Sequence, residues 1–189
     1  MGSLADDVAR SAAGKPPKKD PFEGEVVNRV ADSAIETFDL EQFWDGAEIV
    51  EFDLAPFLFH GLIVKEREFR EHVRAYDWSS FAGQHVAVHC SADTIIPTWA
   101  FMLVCSRLEP HASSTSVGRK DDLSSSFFAA ALEAFDFSPY EDRIVVVKGC
   151  NSGVVPVSAY ADAMTRLQDV ARKIMFGEAC SSVPLWRKK

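Results

Sequence analysis

Two continuous apolar runs stand out along the chain, Gln84-His85-Val86-Ala87-Val88-His89 and Arg143-Ile144-Val145-Val146-Val147-Lys148. Short valine-rich runs bounded by turn residues predict strands buried on both faces. Each is followed by a loop containing a proline and then by helical spacing. The first helix is expected over 97–107, with Pro97 in its first turn. The second is expected over 158–175, capped by Ser158 and closed by Gly177. Between them the pattern predicts a short strand near Thr115 to Val117 and a helix over 123–134, with Asp121 or Asp122 as N-cap. Upstream, Ile35 to Leu40 and Ile49 to Leu54 read as strands joined through Trp44-Asp45-Gly46, because Asp-Gly is a hairpin signal. Residues 53–59 read as a short apolar turn or helix with Pro56 early in it. Phe69, Val73 and Tyr76 fall at i, i+4 and i+7 and predict a helix over 66–76.

Strand alternating with helix predicts an α/β fold: a mainly parallel sheet with helices on its faces and an N-terminal antiparallel edge. No internal repeat is expected. Residues 1–24 read as a disordered tail, since Gly14, Pro16, Pro17 and Pro21 sit among charges with little to bury. Residues 25–189 read as one α/β domain, a length that supports a full core.

Charge narrows the function classes. The net charge is −8. Residues 1–21 contribute +1 (Arg10, Lys15, Lys18 and Lys19 against Asp6, Asp7 and Asp20), and Arg187, Lys188 and Lys189 contribute +3, so the body between carries −12. Such a body is a poor polyanion binder, and no nucleic-acid partner is expected. The start of the chain has no apolar signal segment. The apolar run Trp99 to Cys105 is too short to span a membrane. A cytoplasmic protein with no membrane partner is expected, and its four cysteines read as reduced thiols.

Chemistry then rests on the cysteines. Cys90 directly follows one apolar strand, and Cys150 follows the other after Gly149. Ligands of open α/β sheets bind beyond the carboxyl ends of the strands. A thiol there, near a helix N-terminus, is held toward thiolate. Cys180 lies in the loop Gly177-Glu178-Ala179-Cys180-Ser181-Ser182. The three make a candidate metal site, with Asp93 or Glu178 as a further ligand or proton acceptor. Their spacing contains no Cys-x-x-Cys knuckle, so three small space-filling residues are the competing reading. Asp93 also suits a helix-entry cap, and Glu178 a solvated loop acid. Cys105 lies inside an apolar helical stripe and is assigned to the core.

Val88-His89-Cys90 begins like a phosphatase loop, but Ile96 stands where the phosphate-binding arginine is needed. Val147-Lys148-Gly149-Cys150-Asn151-Ser152-Gly153 resembles a rhodanese loop, though the following arginine is replaced by Val154 and Val155. No dinucleotide, P-loop, serine-hydrolase or zinc-protease motif is present.

Several segments taken together resemble an uncharacterised bacterial domain-of-unknown-function family: Val27-Asn28-Arg29-Val30-Ala31, Gly61-Leu62-Ile63-Val64-Lys65-Glu66, Cys90-Ser91-Ala92-Asp93 with Pro97-Thr98-Trp99-Ala100, Lys148-Gly149-Cys150, and Gly177 to Ser181 with Val183-Pro184-Leu185. The resemblance covers roughly residues 25–189. Members resembling this chain are often encoded near SUF-type iron–sulfur assembly genes. The resemblance therefore implies metal or sulfur handling by Cys90, Cys150 and Cys180, with iron–sulfur assembly proteins as partners. The expected function is an accessory protein holding an iron–sulfur cluster, iron or zinc. The alternatives are a persulfide-carrying thiol enzyme and a non-catalytic interaction module.

Overall fold

The two apolar runs each become an inner strand, but of two different sheets. The computed structural model describes residues 35–149, 153–178 and 181–189. Their strands in chain order are β1 (Ile35–Phe38), β2 (Ile49–Asp53), β3 (His85–His89), β4 (Ser114–Val117), β5 (Ile144–Val147), β6 (Lys173–Phe176) and β7 (Val183–Arg187). One sheet has the order β2-β3-β4 and is wholly parallel. The other has the order β1-β5-β6-β7, parallel except for β7 against β6. The helices are α1 (Glu66–Ala75), α2 (Thr98–Leu108), α3 (Lys120–Ala134) and α4 (Val157–Val170). The α/β class with mainly parallel strands holds.

The antiparallel edge lies at the C-terminal end of the described chain, not at its N-terminal strands. β1 pairs in parallel with β5, and β2 in parallel with β3, so no hairpin joins them. Asp45-Gly46 still turns the chain: Asp45 Oδ1 accepts from Ala47 N–H, and Gly46 has φ +82°. The turn leads from one sheet to the other. The final helix is shorter than its pattern suggested. Ala163, Leu167, Ala171 and Ile174 keep helical spacing and are all buried, yet α4 ends at Val170 and Ile174 lies in β6. The expected tail over residues 1–24 and the start of the expected domain fall outside the described residues.

Each sheet has its own core. Phe52, Leu54, Phe69, Val73, Val86, Val88, Ala100, Val104 and Leu108 pack α1 and α2 on the three-stranded sheet. Phe38, Leu40, Phe128, Leu132, Val145, Val147, Ala159, Ala163 and Leu167 pack α3 and α4 on the four-stranded sheet. These two cores correspond residue by residue, and the correspondence corrects the expectation of no repeat. Phe69 matches Phe128, Asp77 matches Asp136, Pro97 matches Pro156, Ala100 matches Ala159 and Gly118 matches Gly177, all at an offset of 59 residues with no gap. The opening strands match at an offset of 14, where Phe38-Asp39-Leu40 answers Phe52-Asp53-Leu54.

The match extends to geometry. Ser113 N–H donates to Gln84 O at 2.8 Å, and Arg172 N–H to Arg143 O at 2.8 Å. Gly118 N–H donates to Val88 O at 2.9 Å, and Gly177 N–H to Val147 O at 3.0 Å. Asp77 caps the 3₁₀ turn Trp78–Phe81 through Ser79, as Asp136 does the turn Ser138–Tyr140 through Ser138. Gly83 (φ +72°) answers Asp142 (φ +54°) at the turn before the central strand. The aromatic clusters repeat as well. Phe52 meets Phe57, Tyr76, Trp78 and Phe81 at 5.0–5.7 Å. Phe38 meets Phe43, Phe135, Phe137 and Tyr140 at 5.5–5.9 Å.

The described chain is therefore built from two copies of one strand-turn-helix-strand-helix-strand unit, one nested inside the other. The inner unit is continuous, from β2 to Gly118. The outer unit begins with β1, is interrupted, and resumes at α3. Helix α3 touches β2, β3 and β4 as well as α4, so it joins the two units.

Candidate functional site

The repeat places one strand-end site on each unit. On the inner unit, β2 delivers Glu51 and Asp53, β3 delivers His89 and Cys90, and Gly118 turns the chain from β4 into α3. Gly118 adopts φ +131°, a region open to glycine. His89 is 8% exposed. Its ring nitrogens lie 3.0 and 3.2 Å from Arg119 Nη1, and Glu51 Oε2 is 3.6 Å from Nε2. Arg119 Nη1 donates to Glu51 Oε2 at 3.1 Å, and Lys120 N–H donates to Glu51 Oε1 at 3.2 Å. Asp53 accepts from Ser91 N–H (2.9 Å), Ser91 Oγ–H (2.5 Å) and Ala55 N–H (2.9 Å). Burial raises the Asp53 pKa, but these donors lower it more, so its carboxyl stays below the usual range. The polar groups satisfy one another. The cluster clamps the loop after β3 and the start of α3 to the end of β2.

On the outer unit the corresponding positions carry different chemistry. Lys148 stands at the place of His89, Glu178 at that of Arg119 and Asp39 at that of Asp53. Lys148 Nζ donates to Asp39 Oδ2 at 2.8 Å and lies 4.0 Å from Glu41. The Asp39 hydrogen bond and charge hold the ammonium pKa up, with Glu41 and Glu178 adding to the effect. Gly149 lies against the loop after β6: a Cβ there would be 3.0 Å from the Phe176 ring and 3.4 Å from Gly177 Cα. Beyond it, Ser181 N–H donates to Glu178 O at 2.9 Å. The ends of the loops after β5 and β6 are thus side by side.

The sequence-predicted residues distribute over both sites. Cys90 is half-buried, its Sγ 3.9 Å from Ala92 O, and Asp93 is exposed in the same loop. Glu178 is exposed beside Lys148. Cys150 and Cys180 lie outside the described residues. Among the described residues no three His, Cys, Asp or Glu side chains are placed to hold a metal ion. Cys105 is half-buried against the inner core; burial pushes its thiol pKa up, with a Thr115 hydrogen bond opposing. By the offset of 59, Cys90 corresponds to Gly149, and Cys150 to Ser91, so the two cysteines are one position out of register. Cys90 also belongs to a different sheet from the strand before Cys150. Asp45, a few residues beyond Asp39, bonds His85 at the amino end of β3 at 3.0 Å. Cys90 leaves the opposite end of that strand, roughly 16 Å further along. Glu51, Asp53, His89 and Arg119 were not foreseen as a group. Glu51 and Asp53 alternate along one strand, but only strand pairing brings them to His89.

The fold and these sites define a class: an α/β protein of two nested parallel-sheet units with a polar cluster at the carboxyl end of each. Residues 24–188 match the family described as "Protein of unknown function (DUF2480)", and the chain belongs to it. No curated protein and no solved structure matches the chain significantly.

Proposed function

We propose that the protein is a cytoplasmic accessory protein that handles a thiophilic metal ion or an iron–sulfur cluster at the carboxyl end of the four-stranded sheet. Cys150 and Cys180 are its thiolate ligands, and Glu178 is an oxygen ligand beside them. The observation that carries this is the meeting of the two loop ends: Gly149, next in sequence to Cys150, lies against Gly177, and Ser181, next after Cys180, hydrogen-bonds Glu178 O. Lys148 supplies a cation close to those loops, and a nearby cation favours thiolate over thiol. Thiolates select zinc, iron and iron–sulfur clusters over hard cations. Iron–sulfur assembly proteins would be the partners. Cys90, which follows a strand of the other sheet, and Asp93 beside it are left out of the site.

The experiment is metal and sulfide analysis of protein purified anaerobically without chelator. Cys150→Ser and Cys180→Ser are each expected to lower the load, and Cys90→Ser to leave it unchanged. Equal loads in the wild type and all three variants would end the proposal. One cysteine alkylated far faster than the others, with no metal in any sample, would favour the persulfide enzyme instead.

A further inference from the structure

We propose that two copies of this chain pair through β4, antiparallel about a twofold axis, to make one continuous sheet. Three independent features of the structure meet at that strand.

The first is the repeat. β4 holds the position in the inner unit that β6 holds in the outer unit. β6 is covered on its outer side by the antiparallel strand β7. β4 has no strand on its outer side among the described residues. One unit thus closes this edge from within the chain, and in the other the described residues leave it open.

The second is the chemistry of the edges. Open edges invite pairing, and folded proteins blunt them with charge, proline or bulges. β1 carries Glu36, and β2 carries Glu51 and Asp53. β7 carries Pro184 and Arg187, with a register shift where it pairs β6. β4, Ser114-Thr115-Ser116-Val117, carries none of these devices, and Val117 is 54% exposed.

The third is the surface beside the strand. A groove of about 330 Å³ runs between β4 and α3, floored by Ser116, Ser126, Ala130 and Ala131 and walled by Phe127. On the opposite face, Cys105 packs close to Thr115. Small side chains on α3 let a second strand, and a second α3, come near. The groove lining carries no charged residue. Two copies of a chain with net charge −8 repel over most approaches, and this edge is a place where they meet without like charges. Antiparallel pairing of one edge with itself is self-complementary, as a twofold interface requires.

The test is the mass of the full chain in solution, by sedimentation velocity over a range of concentrations. A dimer is expected. Val117→Lys on the edge and Ala130→Arg in the groove should each halve the mass while the circular dichroism stays that of the folded chain. A wild type that is monomeric throughout overturns the proposal. So does a dimer that both folded variants retain. Amide hydrogen exchange over residues 112–119 of the wild type decides the matter if the variants do not fold. Protection there should rise with protein concentration. Protection that is strong but independent of concentration means another segment covers the edge, and also overturns it.

Discussion

Asp53 shows what one carboxylate does when the chain supplies it with three donors. It sits at the carboxyl end of β2 and gathers Ser91 and Ala55 around it. The folded chain holds this carboxyl below its ordinary pKa. The folded state therefore binds fewer protons than the unfolded state near pH 4. Its stabilisation is complete above the unfolded pKa of about 3.9 and is lost as pH falls through the lower folded value. Asp53→Asn is expected to cost about 1 kcal/mol at pH 7, a low figure for charged hydrogen bonds because a third of the side chain meets water. The difference between wild type and variant should shrink in urea titrations carried below pH 4. A gap that stays constant from pH 7 to pH 3 would mean that the charge on Asp53 does nothing for the clamp. Nothing in the sequence flagged this residue, because its partners lie 38 positions away at Ser91 and two positions away at Ala55. Cys90, which the sequence did flag, turns out to be the neighbour of that clamp.

At the scale of elements, the strands and helices inside each unit were legible, because burial on one face or two leaves a period in the sequence. The pairing of those elements was not. Asp45-Gly46 signals a turn, and a turn is there, but whether it joins two strands of one sheet depends on which strand reaches each edge first. β6 was hidden because helical spacing continues by coincidence from Ala163 to Ile174. The glycines that end β4 and β6 are the better markers, and they differ in what they tolerate. At Gly118 (φ +131°) a Cβ would fall 2.5 Å from Asp122 Oδ2. That same oxygen accepts from Arg119 N–H at 2.7 Å and so caps α3. At Gly177 (φ +119°) the nearest atom is Ser181 O at 3.2 Å. Both Gly→Ala changes force a strained backbone, of order 1–3 kcal/mol. Gly118→Ala is expected at or above the top of that range, since it also displaces the cap, and Gly177→Ala near the bottom. Thermal or urea denaturation of the two variants measures the order, and the reverse order would show that the cap does not matter.

For the whole molecule, the nested repeat decides how the chain unfolds. It escaped the sequence because its identities are scattered and its shared feature is spacing: Val86 and Val145, or Leu108 and Leu167, look alike in any core. What the repeat does not share is the double duty of α3, which belongs to the outer unit yet covers the inner sheet. Trp44 seals the same junction, with ring centroids 4.6 Å from His85, 4.9 Å from Phe127 and 6.2 Å from Phe128. The inner unit cannot keep α3's face of β3 dry without the outer unit in place. The outer unit in turn needs the inner one to hold β1 next to α3. One cooperative transition is therefore expected, as for small single domains. Tryptophan fluorescence reads the two units separately, because Trp78 and Trp99 pack with the inner core and Trp186 with the outer one. Variants retaining Trp78 alone or Trp186 alone should unfold in urea at the same midpoint as the far-ultraviolet circular dichroism. Within these variants, Trp44→Ala should lower both midpoints together relative to Trp44→Phe, a stability loss of about 2 kcal/mol, less than the 3–5 of a fully buried ring because Trp44 is only half-buried. Two separated transitions, or a Trp44→Ala effect confined to one tryptophan, would mean that the units fold independently and that α3 is a tether, with no part in the core they share.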